Sequence, residues 1–189
     1  MSLPPGNVGI MNNEPDPPLE SKPPADTAAE ALAVMREVFR EMEVECQEED
    51  GVLFMRFLLE NVEVQLLCHG SPDDVVSVVV KLPIRAREAF RAQAGEFLHR
   101  LNFGEKRKFW EIDYDDGEIR LAGYIDTLLG PLNGQLLQAF VHAMLTRADL
   151  AFPYLTSVIS GRMTPEFASD QAEAAWMAHW REDDNEDQK

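Results

Sequence analysis

Cysteine is scarce here: Cys46 and Cys68 are the only two among 189 residues. They lack metal-ligand spacing, and both are expected as small buried hydrophobes on strands in a reducing compartment. No apolar run approaches the roughly 18 residues needed to span a bilayer. The N-terminus shows no basic start followed by an apolar core, so no secretory signal is read, and a cytoplasmic location is expected. Positive charge is in deficit as well, with 17 Lys and Arg against 34 Asp and Glu and a formal net charge of −17. Binding a phosphate backbone needs a local excess of Lys and Arg, which argues against nucleic acid as the main partner and leaves room for a protein partner.

Catalytic groupings are also missing. There is no glycine-rich phosphate loop, nucleophile elbow or Cys-x-x-Cys pair. His69, His99, His142 and His179 fall on different expected elements, so no metal site is read. Asp113, Asp115, Asp116 and Glu118 cluster at a hairpin tip, but a calcium loop needs a longer run of alternating oxygen ligands. A solvated turn is the plain reading. No catalytic residue, cofactor or metal is assigned, and the chain is read as not an enzyme.

What is present is a run of strands from Val44 to Leu82. In Val62-Glu63-Val64-Gln65-Leu66-Leu67-Cys68 the apolar residues recur every second position, which turns one side to a core and the other to water. Flanking runs cover 44–48, 52–59 and 75–82. Val75-Val76-Ser77-Val78-Val79-Val80 is apolar on nearly every position, so both of its faces are expected to be covered. Lys106–Tyr114 and Glu118–Asp126 alternate around Asp115-Asp116-Gly117 and read as a hairpin.

Helices supply the cover. Thr27-Ala28-Ala29-Glu30 has the form of a capping box, and Leu32, Met35, Val38, Phe39 and Met42 follow at helical spacing. After Pro83, the stretch 84–101 carries an apolar stripe, with Arg85, Arg87, Arg91 and Arg100 on its polar side; Gly95 within it suggests close packing against another backbone. Asn133-Gly134 opens a long helix with Leu136, Leu137, Phe140, Val141, Met144, Leu145 and Ala148 on its apolar side, expected to end or bend before Pro153. Thr164-Pro165-Glu166 starts a last helix bearing Phe167, Ala172, Trp176 and Trp180. The domain reading is a disordered Pro-rich leader over 1–25, an α+β domain over 26–160, a helical extension over 161–181 and an acidic tail over 182–189. The leader holds seven of the twelve prolines. The fold class is α+β, an antiparallel sheet of about six strands with helices packed on it, in the order α-β-β-β-β-α-β-β-α.

Across about residues 28–160 the chain resembles the YbjN-type family, described as bacterial sensory-transduction regulators and related in fold to the small chaperones of type III secretion. The resemblance rests on Met42-Glu43-Val44-Glu45, Glu49-Asp50-Gly51-Val52-Leu53-Phe54, Val80-Lys81-Leu82-Pro83 and His99-Arg100-Leu101-Asn102. It continues through Phe109-Trp110-Glu111-Ile112-Asp113, Asp116-Gly117-Glu118-Ile119-Arg120-Leu121 and Phe152-Pro153-Tyr154-Leu155. It implies a type III secretion chaperone-like fold and a non-enzymatic interaction module, chaperone-like or regulatory, that acts as a homodimer on a protein or peptide partner. Candidate contacts are Arg85, Arg87 and Arg91, with Trp176 and Trp180, because Arg and Trp are favoured anchors. For the tryptophans the alternative is intramolecular packing. The competing functional reading is a small-ligand sensor or enzyme with a pocket between sheet and helices, for which His69 and Tyr124 would have to converge.

Overall fold

A computed structural model describes residues 24–71, 73, 75–128 and 130–186. The expected disordered leader lies outside the described residues except for its last two positions. The elements are α1 (Pro24–Glu41), β1 (Gln47–Glu49), β2 (Val52–Leu58), β3 (Glu63–Ser71) and β4 (Val75–Arg85). They continue as α2 (Glu88–Asn102), β5 (Lys108–Ile112), β6 (Glu118–Asp126), α3 (Gly134–Ile159) and α4 (Pro165–Glu186). The fold is α+β: one six-stranded sheet in the order β1-β2-β3-β4-β6-β5, antiparallel at every pairing.

The two-residue period decides the layering. Leu53, Met55, Val64, Leu66, Val78, Val80 and Leu121 all point to one side of the sheet and are buried. Onto that side come α1 over β3, α3 over β4 and β6, and α2 against β5, while α4 forms an outer layer on α2 and α3. Phe39, Phe97, Leu137 and Met144 fill the space between. Arg36 of α1 reaches Glu48 of β1 at 2.7 Å.

Several local expectations shift. The first strand begins at Gln47 rather than Val44, because the N–H groups of Met42, Glu43 and Val44 donate to the carbonyls of Val38, Arg40 and Phe39 and finish α1 instead of pairing with β2. Cys46 therefore sits exposed ahead of the strand, whereas Cys68 is buried on the helix side; burial raises the pKa of both thiols. Helix α1 starts at Pro24, so Thr27 lies inside it and is not its cap.

Pro83 does not end β4. The register with β6 slips between Lys81 and Arg85, and at such a bulge the missing proline N–H leaves no ladder partner unmet. In consequence Arg85 belongs to a strand and Arg87 is the N-cap residue of α2, contrary to their expected place on the helix. Gly95 of α2 makes room for a side chain, not a backbone: a Cβ there would stand 1.9 Å from the Tyr114 hydroxyl. Helix α3 is capped by Asn133, whose side chain accepts from Leu136 N–H at 3.1 Å. It runs through Pro153 without ending, anchored by buried Ala148 and Ala151 before the proline and Leu155 and Val158 after it.

Candidate functional site: the open face of the sheet

Among the described residues no helix packs on the second face of β4, which departs from the expectation of two covers for its valine run. The alternate residues of each strand form rows across the sheet. The register aligns Phe54 with Leu67, Leu67 with Val79, Val79 with Ala122, and Ala122 with Phe109. This is an apolar row spanning five strands, about 19 Å at the usual strand spacing. Phe54, Leu67 and Val79 are half-buried and Phe109 is 36% exposed. Small Ala122 is buried between its larger neighbours.

Two polar rows flank it. On one side stand Arg56, Gln65, Lys81, Arg120 and Glu111; on the other, Val52, His69, Ser77 and Tyr124. Most charges of the first row are matched within the chain. Arg120 Nε donates to Glu111 at 2.6 Å, which raises the arginine pKa. Lys81 Nζ lies 2.9 Å from Glu118. Arg85 pairs with Asp116 and stands 3.7 Å from Glu118. The Asp116 carboxyl is held below its ordinary range, first by the Glu118 N–H and then by the Arg85 charge. Arg56 is exposed and has no acidic partner among the described residues. Together with Gln65, Lys81, Pro83, Arg85 and Glu118 it borders an open cleft of about 510 Å³.

The sequence-derived candidates divide into two groups. Arg85 is tied to the hairpin tip, Arg87 is exposed at the start of α2, and Arg91 is half-buried. Arg91 donates to the Tyr114 carbonyl at 2.7 Å and the Ala86 carbonyl at 3.3 Å, so it fastens the tip to α2. Trp176 lies at the other end of β5, with Lys108 Nζ 5.3 Å and the Arg147 guanidinium 5.0 Å from its ring. Trp180 stacks edge-on to it at 5.4 Å and keeps 40% of its surface exposed. The tip and the tryptophans are about 20 Å apart along the hairpin, so they do not form one site.

Arg147 is the centre of the tryptophan group. It is 4% exposed and pairs with Glu173 of α4. It also lies 3.4 Å from the Leu101 carbonyl and 3.8 Å from Glu105. This is the packing of α4 onto the domain.

His69 and Tyr124 do share a row, with Ser77 between them, but they face away from the helices. They line no pocket between sheet and helices, so that alternative loses its proposed residues. Among the described residues no group of three or more His, Cys, Asp and Glu is placed to hold a metal, and no helix is long and apolar enough to cross a membrane.

The apolar row was missed because every strand except β4 was read for one face. Its signal is a set of doublets: Leu53-Phe54, Leu66-Leu67, Val78-Val79, Phe109-Trp110 and Leu121-Ala122 each place one apolar side chain on either side of the sheet.

No family model matches the chain, and no curated protein does. A solved structure to which it is similar is the crystal structure of YbjN from E. coli, with 11% sequence identity over 61% of this chain and 83% of that one, and a TM-score of 0.48.

Proposed function

We propose that this chain is a protein-interaction module, chaperone-like or regulatory and cytoplasmic, whose docking surface is the open face of the sheet. The observation that carries the proposal is the apolar row from Phe54 to Phe109, left without a cover among the described residues on a sheet whose other face is packed by helices. Water-exposed apolar surface of this kind is stabilised by a protein surface laid over it. The flanking rows are of mixed sign, with Arg56, Lys81 and Arg120 offset by Glu63, Glu111 and Glu118 on the same face. A polyanion such as nucleic acid finds no field to follow there. Arg87 and Trp180 lie off this face and remain candidates for a separate contact.

A photo-reactive benzoylphenylalanine in place of Val79 tests the reading in the cells that make the protein. Irradiation is expected to yield heavier protein adducts from position 79 and none from Gln93, on the exposed side of α2. Equal yields at the two positions, or none at 79, would sink it.

A further inference from the structure

We infer that the protein surface covering the open face is a second copy of this chain, docked sheet to sheet about a two-fold axis parallel to β4. The inference rests on the interaction-module reading and gives it a partner. β4 is the middle strand of the apolar row, with β3 and β2 on one side and β6 and β5 on the other. A two-fold axis between the two sheets, parallel to β4 and over Val79, exchanges β2 with β5 and β3 with β6.

That exchange matches the face to itself residue by residue. Phe54 comes to lie over the second copy's Phe109. Leu67 comes over Ala122, a large side chain against a small one, as interdigitation at a sheet spacing of about 10 Å requires. In the charged row, Arg56, which has no acidic partner among the described residues, comes over the carboxylate of Glu111. In the other polar row His69 comes over Tyr124, a ring nitrogen facing a hydroxyl. Lys81 meets its own copy at the axis, where each ammonium is already held by Glu118 at 2.9 Å.

Charge selects this arrangement over its nearest rival. An axis along the apolar row would set the charged row against His69, Ser77 and Tyr124 and leave Arg56 unmatched. A chain of net charge −17 repels its own copy over most of its surface. The open face, balanced in sign and apolar along its middle, is where two copies approach without that cost.

Sedimentation velocity on the full chain over a micromolar concentration series tests this. The wild type is expected to be a dimer. Val79→Glu is expected to be a monomer with unchanged circular dichroism. Arg56→Glu and Glu111→Arg are each expected to weaken the dimer by about tenfold in Kd, because two symmetry-related pairs are lost. The double variant is expected to recover part of that loss by exchanging the two charges. A monomeric wild type overturns the inference, and so does a dimer indifferent to Val79→Glu. The photo-reactive label at position 79 separates the two readings. If the wild type is monomeric and position 79 still gives adducts to other proteins, the second copy is excluded and the docking face stands. If there are no adducts either, both fall.

Discussion

The two faces of the sheet are built from the same strands and nearly the same residue types, yet one is sealed and the other is not. Leu66 and Leu67 are chain neighbours on β3. Leu66 lies on the side of the sheet that the helices cover, with α1 over its strand, and is 0% exposed; Leu67 faces outward between Phe54 and Val79 and is half-buried. Hydrophobicity therefore does not assign a residue to the folding core here. The side of the pleat does, and it separates apolar surface packed under the helices from apolar surface that no described helix covers.

The sharpest way to break that comparison is to truncate the two leucines separately. Leu66→Ala is expected to cost about 2–5 kcal/mol of folding stability, through lost burial and the cavity left behind. Leu67→Ala is expected to cost about 1 kcal/mol or less and to weaken association instead. Urea unfolding at a protein concentration below the dimer range measures the first effect free of mass action. Equal losses at the two positions would mean that the open face is not open in the folded chain.

A second dissection concerns the outer layer. Arg147→Ala removes a buried cation from between Glu173, Glu105, the Leu101 carbonyl and the Trp176 ring. The expected cost is about 1–3 kcal/mol, because the buried guanidinium's contacts with the Leu101 carbonyl and the Trp176 ring are lost, while Glu173, 42% exposed, is left to water. Arg147 and α4 lie on the helix side, so the same variant should leave dimerisation unchanged, the inverse of Val79→Glu. Loss of the dimer in Arg147→Ala would move the interface to α4.

How much of this was legible in the sequence follows from the same contrast. The element order, the hairpin and the long helix opening at Asn133-Gly134 were readable because period and turn chemistry are local signals. The boundary at Pro83 was not, because a bulge that tolerates proline depends on register with β6, a strand that begins only at Glu118. The valine run of β4 was read correctly as apolar on both sides but assigned two covers. Sequence alternation cannot announce which apolar face the chain's own helices leave open. Trp176 was open between contact and packing; it is half-buried with Lys108 and Arg147 at its ring, a neighbourhood that only the tertiary fold creates.

Asp149 gives a smaller test on the covered side. It is 9% exposed and accepts from the backbone N–H of Asn61 at 2.8 Å and from its side-chain amide at 3.2 Å, pinning the β2–β3 turn to α3. Asp149→Ala strands these donors and is expected to cost about 1–3 kcal/mol in urea unfolding, with hydrogen exchange rising first at Asn61. A rise that starts elsewhere would show that the turn is held by other contacts.

The smallest effect belongs to the rim of the open face. The Glu118 N–H and the Arg85 guanidinium favour the ionised form of Asp116, so its folded pKa lies below the unfolded value of about 3.9. A depressed carboxyl contributes stability that is fully present above the unfolded pKa and is lost as pH falls through the folded one. Between about pH 5 and pH 3 the wild type should therefore lose slightly more stability than Asp116→Asn, which has no proton to take up. The two should run in parallel at neutral pH. Because Asp116 is solvent-facing, salt should shrink the difference. A difference that survives high salt would mean that the backbone hydrogen bond alone holds the carboxylate, and that Arg85 is free to serve a partner.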